Sequence, residues 1–323
     1  MPNVRRLLAA SGLATLVLLS GCSKVAHMAG PRSGDWLLLQ EWGSSGSGNG
    51  QFNSPFDVAV GPDHNLYVTD TGNERIQVFS PTGTLLRAWP FANGTDDTLA
   101  YPFAITCDAA GHVYATDAAM QCVRKFSSTG AFLGRWGVTG SADGQFLAAE
   151  GIAIDSDGFV YVGDAVRHDI QKFTADGAFV AKWGGPGDAA GQFARPVSLA
   201  WSDAHGLYVL DTDDAGGYHH RVQRFAADGR LLGTWGGYGH SAGQFYDPQD
   251  LSLDAQGHVY VADTYNWRIE EFDAQGAFVD EWGAGMFEPN HYRAVQGLAI
   301  GANGHLYMVS RNACRIAELA RIP

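Results

Sequence analysis

The chain has 323 residues, room for about two average domains or one large all-β domain, with a net charge of −13, 42 glycines and only 17% charged residues. Its 46% hydrophobic and 12% aromatic content is too high for a disordered chain, and glycine does not recur at every third position as a collagen requires. The acidic balance, without basic clusters, argues against a phosphate-backbone binder, so no nucleic-acid partner is expected.

In chain order the first element is an export signal. Arg5 and Arg6 precede a largely apolar run from Leu7 to Leu19, which marks residues 1–21 as a secretory signal peptide. A run of that length is too short to cross a ~30 Å hydrocarbon core, and no later stretch reaches 18 apolar residues, so no transmembrane segment is expected. The run closes on Leu19-Ser20-Gly21-Cys22, which resembles the bacterial lipobox. That resemblance implies cleavage before Cys22, lipidation of its thiol, and a lipid-anchored protein of the bacterial cell envelope facing the periplasm or the exterior. Two or more acyl chains anchor stably where one does not. The alternative is an ordinary cleaved signal with an incidental cysteine. Residues 22–35 carry Gly, Ser, Pro and Lys without periodicity and read as a lipidated tether, leaving 36–323 as the folded domain. Beyond Cys22 only Cys107, Cys122 and Cys314 remain, too few and odd in number for a disulfide framework, so free thiols are expected.

The folded domain is written in repeats. Six tryptophans, Trp42, Trp89, Trp136, Trp183, Trp235 and Trp282, fall 47 residues apart except for one interval of 52. Each unit holds four short runs rich in Val, Ile, Leu, Phe and Tyr, bounded by turns such as Ser-Asp-Gly and Ala-Gln-Gly. Gly-Gln-Phe recurs at 50–52, 144–146, 191–193 and 243–245, and an aspartate follows each of the first five tryptophans by 28 residues: Asp70, Asp117, Asp164, Asp211 and Asp263. Four antiparallel strands at a period of about 40–50 residues predict a β-propeller. The Gly-Gln-Phe, the Leu-Tyr-Val-x-Asp of residues 66–70 and the glycine-to-tryptophan run resemble the NHL repeat over essentially the whole domain. The last unit stops without a fourth strand, and Leu37 to Trp42 supplies it from the other end. The fold class is therefore all-β, a six-bladed β-propeller of four-stranded antiparallel blades, with residues 37–42 completing blade six. A ring so closed leaves no sheet edge demanding a partner, and a monomer is expected.

Chemical variety gathers on one face, called top here, which carries the loops from each outermost strand to the next innermost one and from second to third strands. The 52-residue interval comes from five extra residues in blade four, within Thr212 to His220, where Asp213, Asp214, Tyr218, His219 and His220 offer metal-ligating and proton-transferring groups. The recurring aspartates, as in Asp70-Thr71-x-Asn73-x-Arg75, read instead as structural acceptors of turn amides paired with arginine. Asp57, Glu150 and Asp250, at the mouth of the central channel, are calcium candidates, since that cation favours oxygen ligands. Tyr101, Arg167, His168, Arg195, Tyr246, Tyr265, Trp267, His291, Tyr292, Arg293 and Arg311 crowd the same face as a candidate ligand-binding set.

Two function classes fit. The preferred one is a binding or scaffold module for a protein, peptide or small ligand on the top face. The alternative is a metal-dependent enzyme. The six-bladed repeat resembles the peptidylglycine amidating lyases, which implies zinc, structural calcium and a catalytic tyrosine matching Tyr265, two residues after Asp263. The inner-strand starts where that family places zinc histidines hold none here, so zinc is not expected. Lactonase-like calcium chemistry would use Glu150 and the neighbouring aspartates.

Overall fold

The computed structural model of the protein describes residues 35–89, 101–213, 219–283 and 295–322. They form six separate four-stranded antiparallel sheets. From the channel outward, blade one comprises Pro55–Val60, Leu66–Asp70, Arg75–Phe79 and Leu85–Trp89. Blade four, with the longer turn, comprises Pro196–Ser202, Gly206–Asp211, Arg221–Phe225 and Leu231–Gly236. Blade five runs Asp250–Leu253, Val259–Asp263, Arg268–Phe272 and Phe278–Trp282. Among the described residues no helix is long and apolar enough to cross a membrane.

Blade six closes as expected. Trp36–Trp42 pairs antiparallel with Arg315–Arg321, from Trp36 opposite Arg321 to Trp42 opposite Ile316, with a register shift at Leu38/Gln40. The strand begins at Trp36, one residue before the predicted start, because that indole is needed inside. It is 2% exposed, stacks on Trp282 at 5.2 Å and meets Tyr260 edge-on at 6.0 Å.

Burial follows depth in the ring. In the second strand of every blade the side chains are buried on both faces, as Leu66–Asp70 shows, because neighbouring blades cover both sides of the sheet. The outermost strands of blades two, three and four, Phe132–Trp136, Phe179–Gly184 and Leu231–Gly236, alternate half-buried and exposed, with one face in solvent. The core consists of interfaces between blades, each fed by the repeat's own markers. The phenylalanine of Gly-Gln-Phe is fully buried at Phe52, Phe146, Phe193 and Phe245 and packs on the phenylalanine that ends a third strand, such as Phe245 on Phe272 at 5.6 Å. The first five tryptophans of the ladder each lie over a turn glycine of the following blade, whereas Trp282 stacks on Trp36. A Cβ at Gly83 would sit 2.8 Å from the Trp42 ring, and one at Gly229 2.8 Å from Trp183, while both glycines hold positive φ. Tryptophan and glycine therefore recur together for one reason, the close approach of adjacent blades.

Cys107 ends the innermost strand of blade two and Cys122 opens its third, so they stand at opposite ends of non-adjacent strands and remain thiols, as does Cys314.

Candidate binding face

The repeated aspartates act as hubs. In blade one Asp70 Oδ1 accepts the Asn53 amide at 2.7 Å, and Oδ2 accepts Asn73 Nδ2 at 2.8 Å and Arg75 Nε at 2.7 Å. Arg75 Nη2 then reaches the carbonyls of Gly48 and Gln51 at 2.7 and 2.8 Å, pinning the top loop onto the blade. Blade five repeats this through Asp263, Asn266 and Arg268. These carboxylates are wholly buried and structural.

Blade three corrects one candidate. Its third strand opens on Asp169, and the arginine comes from the turn instead. Arg167 pairs with Asp169 at 2.9 Å and donates to the carbonyls of Ala142 and Gln145, with a side chain only 6% exposed. It latches the loop as Arg75 does and does not present itself to a ligand. His168 likewise turns its Nδ1 to the Ala194 carbonyl at 2.6 Å.

The blade-four turn separates its two described histidines. His220 is 2% exposed, bonded through Nδ1 to Thr212 Oγ1 at 2.8 Å, and burial holds its imidazole below its ordinary pKa. His219 faces the other way, to Asp188 at 3.0 Å, while its amide donates to Asp213 Oδ2. Adjacent residues thus diverge instead of forming a ligand pair. Asp214 and Tyr218 lie outside the described residues, as do Cys22, His291, Tyr292 and Arg293.

The calcium candidates do not fit a shared site. Glu150 Oε1 accepts Arg195 Nη2 at 2.8 Å. Asp57 Oδ2 accepts the Ile105 amide of blade two at 2.8 Å, and Asp250 takes the Leu298 amide of blade six at 2.6 Å and Ser198 Oγ at 2.5 Å. These aspartates stitch each innermost strand to the next. Burial raises both carboxyls, Asp250 to about 7, and the nearby Asp250 charge adds to the rise at Asp57. They line a central cavity of about 310 Å³ together with the innermost strands. Among the described residues no group of three or more His, Cys, Asp or Glu is placed to hold a metal ion.

What the structure does assemble is aromatic. Tyr246, half-buried in the top loop of blade five, is met edge-on by Tyr238 at 5.6 Å and His240 at 5.3 Å, and by Tyr265 at 5.5 Å. His220 of blade four lies 5.7 Å from Tyr238, extending the row across the blade boundary. Tyr265 and Trp267, 52% and 53% exposed, occupy the adjoining turn between second and third strands, Trp267 with φ of 57°. Arg311 sits half-buried in the corresponding turn of blade six and Tyr101 at the entry to blade two. Tyr265 and Glu150, the weak catalytic candidates, stand on different blades.

The other blades act as controls. Tyr238 forms the same bridge to the Gly-Gln-Phe phenylalanine as Ser45, Thr139 and Pro186. The Tyr246 amide meets the hub aspartate as those of Asn53, Leu147 and Ala194 do. Tyr265 matches Gly72, Ala119 and Val166, and Trp267 matches Glu74, Gln121 and His168 at the left-handed position before the third strand. Among the described residues, blade five alone is aromatic at all four. Tyr238 and His240 were not among the sequence candidates; lining up the loops through their shared phenylalanine is the signal that finds them.

Blade number and closure define a six-bladed β-propeller. The NHL repeat model matches residues 52–79 and 245–272, in blades one and five. A streptogramin B lyase structure is similar at 15% identity and TM-score 0.61, covering 88% of this chain and 98% of that one. Virginiamycin B lyase from Staphylococcus aureus aligns at 13% identity and TM-score 0.60, over 89% of this chain and 100% of its own. A gluconolactonase from Xanthomonas campestris aligns at 15% identity and TM-score 0.62, over 84% and 87%. At such identities the likeness is one of fold. No curated protein matches the chain in sequence.

Proposed function

We propose that the protein is a membrane-anchored binding module of the bacterial cell envelope, which engages a protein, peptide or small ligand on the top face of its propeller. The observation that carries the reading is the concentration of aromatic side chains on blade five at places where the sister blades carry small, polar or aliphatic ones. Exposed Tyr and Trp offer large contact area at low entropic cost and dominate recognition surfaces. NHL propellers commonly serve as binding modules, and the fold supplies a rigid frame for such a surface. The lipobox-like Leu19-Ser20-Gly21-Cys22 supports the anchor.

Hydrogen exchange tests the reading. The protein is compared with and without a detergent-solubilised fraction of its own envelope. Protection is expected in 237–249 and 264–268. Protection confined to the opposite face, or none anywhere, overturns it.

A further inference from the structure

The rings of blade five belong to a chain with a surplus of negative charge. The chain carries a net charge of −13, and the latch arginines of the top face are consumed internally. Arg75, Arg167, Arg221 and Arg268 each close on a carboxylate and on loop carbonyls, with side chains at most 15% exposed. Carboxylates paired with the same loop network remain partly outward. Asp188, beside His219, keeps 76% of its side chain exposed, and Glu281, beside Arg268, keeps 43%.

Aromatic faces are the negative ends of the ring quadrupole and attract guanidinium and ammonium groups. A surface with surplus negative charge concentrates the same cations before contact. The edge-to-face packing around Tyr246 holds the rings in place without a ligand, which lowers the ordering cost of binding. From this we infer that the blade-five row takes a cationic ligand, a peptide segment bearing arginine or lysine. Its charged heads lie over Tyr265 and Trp267, and its aliphatic stems cover Tyr238 and Tyr246. A guanidinium suits the site best, being planar and weakly hydrated. A neutral glycan would also stack on these rings, yet it offers nothing to the surplus charge. This inference rests on the top-face reading above and narrows it to a ligand class.

The probe is acetyl-Arg-Gly-Arg-Gly-amide, titrated calorimetrically into the full chain, with its citrulline counterpart and chitotriose alongside. Citrulline keeps the shape of arginine and removes the charge. The arginine peptide is expected to bind saturably and to protect 237–249 and 264–268 from exchange. Replacing arginine by citrulline is expected to weaken binding at least tenfold, as is raising the salt from 50 to 500 mM. The double substitution Tyr265→Ala with Trp267→Gln, which installs the residues blade two carries as Ala119 and Gln121, is expected to weaken it at least tenfold with unchanged Tm. Absence of binding, equal binding of the citrulline peptide, tighter binding of chitotriose on the same segments, or undiminished binding by the double variant each overturns the inference. If the cationic arm fails while the envelope fraction still protects blade five, only the ligand class falls. Protection elsewhere removes the top-face reading itself.

Discussion

One residue breaks the hub pattern in an informative way. Gln77, Gln171 and Gln223 each accept a loop glycine amide through Oε1 and donate Nε2 to the carbonyl of Gln51, Gln145 or Gln192 at 2.7 to 2.8 Å. Blade five carries Glu270 there. Its Oε1 accepts the Gly243 amide at 2.8 Å, but Oε2 is buried without a hydrogen bond and has no proton to donate unless the acid is neutral. Burial, reinforced by the Asp263 and Glu281 carboxylates, pushes Glu270 up to about 8. The folded state therefore holds this proton more tightly than the unfolded chain, so stability is lost as pH rises from the ordinary glutamate range through about 8. Glu270→Gln should stabilise the protein by roughly 1–3 kcal/mol at pH 9 and by little at pH 4. Melting curves across that range check it, and a gap independent of pH sinks the proton argument. Removing a hub is the opposite case. Asp263→Ala leaves the Tyr246 amide, Asn266 Nδ2 and Arg268 Nε without their buried acceptor and should cost about 3–5 kcal/mol, whereas Asp188→Ala, at an exposed pair, should cost under about 1 kcal/mol by denaturant titration.

At the scale of elements, much was legible because the chain repeats itself. A fourth strand missing from the last unit and present before the first one fixes both the blade number and the closure, and Trp36–Trp42 pairs where that logic puts it. The hub role of Asp70 and Asp263 was legible for the same reason, since an aspartate that recurs at one place in five of the six blades serves the blade. The bulge at Leu39 was not legible, because a register shift is set by pairing across the sheet rather than by the strand's own pattern. Arg167 was misread because a long side chain can fill one latch from two backbone positions, the turn in blade three and the strand start in blades one, four and five. The calcium set was misread because an inner-strand carboxylate looks the same in sequence whether it faces a cation or an amide of the next blade. The closing strand itself makes a clear prediction. Trp36→Ala removes the stacked indole from the blade-six interface and should cost about 3–5 kcal/mol. Deleting residues 36–42 also bares the Arg315–Arg321 edge, and light scattering should then show self-association that the full ring lacks. A monodisperse deletion variant with an unchanged melting curve would refute the latch.

For the whole molecule, the direction of the closing strand ties the proposed anchor to the proposed binding face. Trp36–Trp42 ends at the top, like every outermost strand, so Asp35 lies at the bottom, where its carbonyl accepts the Ile322 amide at 2.8 Å. The proposed tether of residues 22–35 would join the ring at Asp35, on the face opposite blade five's rings. Fully stretched at about 3.3–3.6 Å per residue, a segment of that length reaches at most on the order of 45 Å. A propeller held this way by Cys22 would present Tyr265 and Trp267 away from the lipid surface, open to a soluble or neighbouring partner. Removing the acylated thiol should then change location without touching fold or recognition. Cys22→Ser is expected to move the protein from the detergent to the aqueous phase in a phase-partition assay, with the Tm and the arginine-peptide affinity of the parent. Among the described residues the first strand opens at Trp36, 14 positions beyond Cys22. A variant that stays with the detergent would show that something other than this cysteine holds the protein to the membrane.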